Sequence, residues 1–126
     1  MNLQALIQSA LDLEAQTLGE IGGEIKLFSD GVQVIYADNP TDPSNPYPCR
    51  SKVLSNTEKM TNVKIEETAT AYRFYVPVAQ SPDPALPLTI QASGDLDQRA
   101  VQLVEILPNP TVPAERVVTV QRLADA

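Results

Sequence analysis

The spacing of hydrophobic and polar positions changes once along this chain, near Gly19. Before it, Leu3, Leu6, Ile7, Ala10, Leu11, Leu13 and Leu18 recur mostly three or four residues apart, with Gln4, Gln8, Asp12 and Gln16 between them. That spacing predicts an amphipathic helix over about residues 2–18, stopped by Gly19 or by Gly22-Gly23. Such a helix either packs on the domain's own sheet or docks on a neighbouring subunit. In the second case Leu3, Leu6 and Ile7 are the candidate interface positions.

From about residue 24 to residue 123 the pattern alternates as strands do. Residues 25–29 and 32–36 are apolar runs flanking Asp30-Gly31, the strongest short hairpin signal, because a type I′ turn needs positive φ at both central positions. Residues 37–50 carry Pro40, Pro43, Pro46 and Pro48 among Asp and Asn, which predicts a long, pre-stiffened exposed loop. Its prolines lower the entropy lost on docking, so Pro40, Pro43, Pro46, Tyr47 and Pro48 are candidate contact residues, with Pro46, Tyr47 and Pro48 as an apolar tip. Ser55 followed by Glu58 can open one helical turn.

Residues 62–79 read as the longest strand segment. Val63 and Ile65 share one parity and Tyr72, Phe74, Val76 and Val78 the other, so the inward face must switch, by a bulge or break near residues 67–70 or at a barrel corner. Pro77 places that strand at a sheet edge, and residues 81–87 form a second proline-stiffened loop. Three β-type runs then follow, over residues 88–92, 100–107 and 116–123, separated by Ser93-Gly94-Asp95 and by the proline-marked stretch 108–113. They predict a closing meander. The whole is a mainly β protein, a small β-barrel or sandwich with an N-terminal amphipathic helix, forming one domain over residues 1–126.

Composition refines this outline. The chain has no Trp and few aromatics, so its core is aliphatic. Eleven prolines against five glycines favour rigid loops over flexible linkers. A net charge of −7 argues against gripping nucleic acid or an anionic membrane, though DNA can pass an acidic wall without adhering. One cysteine, Cys49, allows no intrachain disulfide. No targeting segment or membrane-length apolar stretch is visible, which predicts a soluble protein.

Candidate chemistry is sparse. The absence of histidine removes the commonest general base and metal ligand, and Cys49 beside Arg50 has no histidine to activate it. Asp95 and Asp97 suit a turn better than a cation site, and Glu66 and Glu67, adjacent on a strand, would point to opposite faces. The glycines match no phosphate loop. No catalytic, metal or cofactor residue is assigned, and the expectation is a protein that binds or assembles and is not an enzyme.

The helix, the small β domain, the stiff loops and the meander together resemble the head-closure (stopper) and related neck proteins of tailed bacteriophages. The likeness is greatest over residues 88–123, where Leu88-Thr-Ile-Gln-Ala-Ser-Gly-Asp95, Ala100-Val-Gln-Leu-Val-Glu-Ile-Leu-Pro108 and Val117-Val-Thr-Val-Gln-Arg-Leu123 are similar to the end of that family. Residues 93–100 depart from it in lacking an aromatic after the turn. The resemblance implies a virion protein made in the host cytoplasm. It implies a homo-oligomeric ring, contacting connector, portal or tail proteins and lining the DNA channel, without cofactor or membrane. A capsid decoration protein, another tail or neck protein, and an adaptor outside the virion are the alternatives.

Overall fold

A computed structural model describes residues 25–92 and 94–123. The helix expected over residues 2–18, with Leu3, Leu6 and Ile7, lies outside the described residues.

The described chain is mainly β, with little helix. Seven strands form one sheet in the order β2-β1-β7-β8-β9-β6-β5, and β3 and β4 form a separate two-stranded ribbon. In chain order these are β1 (Lys26–Ser29), β2 (Val32–Gln33), β3 (Ile35–Ala37), β4 (Tyr47–Pro48), β5 (Arg50–Val53), β6 (Thr70–Pro77), β7 (Leu88–Gln91), β8 (Arg99–Pro108) and β9 (Glu115–Arg122). A single helical turn, α1 (Asn56–Met60), follows β5.

The expected hairpin is present. Phe28 pairs with Gln33 and Ser29 with Val32, and Asp30 and Gly31 adopt φ of 51° and 80°, the two positive values a type I′ turn demands. The meander is also present: β7 pairs antiparallel with β8, and β8 with β9. Ser55 caps α1 with its hydroxyl on the Glu58 amide, while the Glu58 carboxylate accepts from the Ser55 amide.

The sheet curls into a half-barrel around Leu27, Phe74, Val76, Ile90, Val118 and Val120, each almost fully buried. The ribbon β3–β4 connects β2 to β5, the two edge strands. Contacts from the β4–β5 segment tie the ends of the sheet together. Ser51 Oγ donates to the Ile25 carbonyl at 3.4 Å, and Cys49 Sγ to the Val34 carbonyl at 3.7 Å.

Three expectations need correction. Residues 62–69 are turns, so β6 begins only at Thr70 and the longest strand is β8. The parity problem is resolved by that break. Ile65 packs with Leu54, Ala71 and Val104 in a small cluster, while Tyr72, Phe74 and Val76 belong to the half-barrel core. Pro77 is on an interior strand between β9 and β5, but at its last residue, beyond Tyr75 where the β5 pairing stops, so no β5 ladder bond is lost. The stretch 37–50 is a loop only over about residues 38–46, because Tyr47 and Pro48 pair with β3 and Arg50 opens β5.

An unanticipated β-bulge lies in β8. Leu103 opposes Val120 and Glu105 opposes Thr119, leaving Val104 as the extra residue. The bulge lets Val101 and Leu103 before it and Ile106 after it all pack on the core, although their parity differs. It also turns Val104 toward the small cluster and Glu105 toward the polar residues beside it. No helix among the described residues is long and apolar enough to cross a membrane.

Candidate functional site

Three surfaces could carry function: the proline loop, the polar patch around β5, β6 and β9, and the end of the sheet where α1 sits.

The proline loop is wired by Asn39. Its side-chain oxygen accepts from the Thr41 amide at 3.1 Å, the Asp42 amide at 3.2 Å and the Thr41 hydroxyl at 2.8 Å, and its amide group donates to the Asn45 carbonyl at 3.2 Å. Ser44 donates to Asp42 at 2.7 Å. Such Asx-turn bonding holds a loop in one shape. Pro40 and Pro43 are exposed on it, and Pro46 and Pro48 are half-buried. Tyr47, expected at an apolar tip, is instead only 8 % exposed, because its pairing with Ala37 draws it into the chain's own fold. It is a structural residue, and the loop's free surface narrows to Pro40, Pro43 and the polar residues between them.

The polar patch joins groups far apart in sequence. Arg50 lies over the Tyr75 ring, 4.5 Å from its centroid, and reaches Glu115 at 3.2 Å. Asn109 donates to the same carboxylate oxygen at 3.2 Å, while its own side-chain oxygen accepts the amides of Thr111 and Val112. Nearby, Glu105 accepts from Asn62 at 3.0 Å and pairs with Lys64 at 3.5 Å. Glu58 pairs with Lys52 at 2.6 Å and Arg73 at 3.6 Å. A groove of about 520 Å³ runs between Arg73, Tyr75, Glu105, Leu107, Val112 and Thr119.

These carboxylates are committed to their own chain. The hydrogen bond from Lys52, and then that from the Ser55 amide, holds the Glu58 carboxyl down at about 2. The Asp97 amide, followed by Arg99, lowers Asp95, so Asp95 organises its turn. Cys49 is buried, and desolvation, reinforced by the charge of Glu115, pushes its thiol up to about 12. A thiol so placed stays protonated and is a poor nucleophile. Among the described residues no group of three or more Cys, Asp or Glu side chains could hold a metal ion.

The third surface mixes exposed apolar side chains with polar ones. The α1 turn buries none of its residues; Met60 at its end is 83 % exposed, and Val63 beyond it is 96 % exposed. Between them is a groove of about 480 Å³, lined also by Asn56, Lys59 and Glu67. Leu96, Val53 and Leu123 are exposed too. Alternation with Ile65 placed Val63 in an expected strand, so this surface was not legible in the sequence; Met60 and Val63 instead flank the Thr61-Asn62 turn.

Compared with protein-family models, with curated proteins and with solved structures, the chain matches none.

Proposed function

We propose that this chain is a structural subunit of the head-to-tail connector of a tailed phage, associating with copies of itself into a ring that joins the portal assembly to the tail. The observation that carries an assembly role is the division of its surface. Several charged side chains are engaged within the chain, as Arg50 with Glu115 and Glu58 with Lys52 and Arg73, while Met60 and Val63 stand almost fully exposed. Isolated exposed apolar residues are ordinary; two of them beside one groove, Met60 and Val63, support reading that groove as a contact surface. The rigid, Asn39-wired loop adds a second surface with little ordering cost on docking. Two different surfaces suit the heterologous contacts of a closed ring.

The phage connector is favoured within that class by the resemblance over residues 88–123, which form the β7–β8–β9 meander. An acidic subunit repeated around a channel also lets DNA pass without adhering. No bond-making step is assigned to any residue; the role is mechanical.

Native mass spectrometry and negative-stain imaging of the purified full chain test self-association. The expected result is a closed oligomer of one stoichiometry with a central hole. A chain that is monomeric at every concentration, alone and with its neighbouring virion proteins, would contradict the proposal.

A further inference from the structure

We infer that the open edge of β8, along residues 102–108, takes β5 of a second copy of this chain, so that one sheet continues from subunit to subunit. The inference rests on the proposed self-association, supplies its lateral contact, and uses neither Met60 nor Val63.

β8 is staggered between its neighbours. β7 pairs only with Arg99, Ala100 and Val101, whereas β9 pairs with β8 from Gln102 to Pro108, around the bulge. Residues 102–108 therefore have a strand on one side alone, and among the described residues no hydrogen bond meets their backbone from the other side. The open stretch is about 20 Å long. Alternate N–H and C=O groups along it point away from β9, and a row at that spacing is matched by another extended backbone. The side chains suit an edge that becomes covered: Leu103 and Ile106 are half-buried against the core, and Leu107 is 48 % exposed. The bulge at Val104 and the charge of Glu105 keep such an edge from pairing indiscriminately.

Topology singles out β5 as the strand that joins it. Every step from β8 through β9 and β6 to β5 is antiparallel, so β5, at the end of the sheet, runs antiparallel to β8. A rotation about an axis along the strands sets β5 of one copy beside β8 of the next with the alternation unbroken. The same pairings put Val53 level with Leu103, through Tyr72 and Val120, and Arg50 level with Leu107, through Tyr75 and Val117. Charge selects the same pairing. Residues 102–108 carry Glu105 and no base, and β5 carries Arg50 and Lys52 and no acid. Two copies of β8, or two of β5, would set like charges side by side. Glu105 already meets Lys64, Lys52 meets Glu58 and Arg50 meets Glu115, so these charges choose the partner more than they strengthen its binding. Contact between two different edges is heterologous, the kind that closes a ring.

The test places Val53→Cys and Gln102→Cys in separate full-length chains, mixes them at a concentration where the unsubstituted chain is oligomeric, and adds a short bismaleimide; the buried Cys49 stays unlabelled. A cross-linked dimer is expected from the mixture and from neither variant alone. Leu107→Lys in the Gln102→Cys chain, which sets a cation level with Arg50 of the partner subunit, should abolish that product with thermal unfolding unchanged. In the unsubstituted chain, amide hydrogen exchange within residues 102–108 should slow on assembly. A dimer from Gln102→Cys alone would mean that β8 pairs with β8, and would overturn the inference. So would a product that survives Leu107→Lys, or an oligomer that gives no mixed product or no slowed exchange; in those cases self-association itself stands. A chain monomeric at every concentration would contradict both the inference and the ring.

Discussion

Arg50 on β5 reaches across β6, over the face of Tyr75, to place its guanidinium 3.2 Å from the Glu115 carboxylate on β9. The Glu115 side chain is only 6 % exposed and that of Arg50 is 35 % exposed, so the pair is half-screened on one side only. Removing the cation leaves a nearly buried carboxylate with Asn109 as its remaining side-chain donor. Arg50→Met is expected to destabilise the fold by about 2 kcal/mol, between the values for surface and buried pairs. Arg50→Met combined with Glu115→Gln should recover part of that loss. Urea unfolding of the single and double variants measures both.

The Asp30-Gly31 turn is strict for a backbone reason. A Cβ on Gly31 would meet nothing within 4 Å, so any cost of substitution arises from its φ of 80° alone. Gly31→Val is expected to cost roughly 1–3 kcal/mol. Thermal unfolding at the wild-type temperature would refute the turn assignment.

That turn was legible in sequence because its signal is local, as was α1, whose Ser55 and Glu58 stand at capping-box spacing. Residues 62–69 were not. Val63 and Ile65 alternate as in a strand, but Asn62 accepts the Lys64 amide and the Ile65 amide bonds back to the Asn62 carbonyl, so turn chemistry overrides alternation. The β8 bulge had a signal, the parity change between Leu103 and Ile106. The burial of Tyr47 and the Arg50–Glu115 pair depend on strands distant in sequence, which periodicity cannot bring together. The candidate site was thus legible as a stiff loop, and its exposed residues were not.

Acid should loosen α1 before the half-barrel. The folded Glu58 carboxyl titrates at about 2 against an ordinary value of 4.5, so its stabilisation is fully present above pH 4.5 and is lost as the pH falls toward 2. Chemical-shift titration is expected to find the Glu58 side chain and the Ser55 amide changing together in that window. In Lys52→Met, which removes the strongest cause of the shift, the midpoint should move upward.

The loop separates stability from assembly. Tyr47→Ala, at a buried position, is expected to cost about 3 kcal/mol, as large aromatic truncations do. Pro40→Ala with Pro43→Ala, on the exposed stretch, should change stability by no more than about 0.5 kcal/mol while reducing incorporation into the larger particle. Urea unfolding and the amount of chain recovered with particles distinguish the two effects.

The proposed role fixes a place: one ring between head and tail. Gold-labelled antibody against this chain, imaged on intact and on partly disassembled tailed-phage particles formed in cells that make it, tests that placement. Gold is expected at a single vertex, where the head meets the tail, and retained on isolated connectors. Gold spread over the capsid shell, at the far end of the tail, or on no particle at all would contradict it.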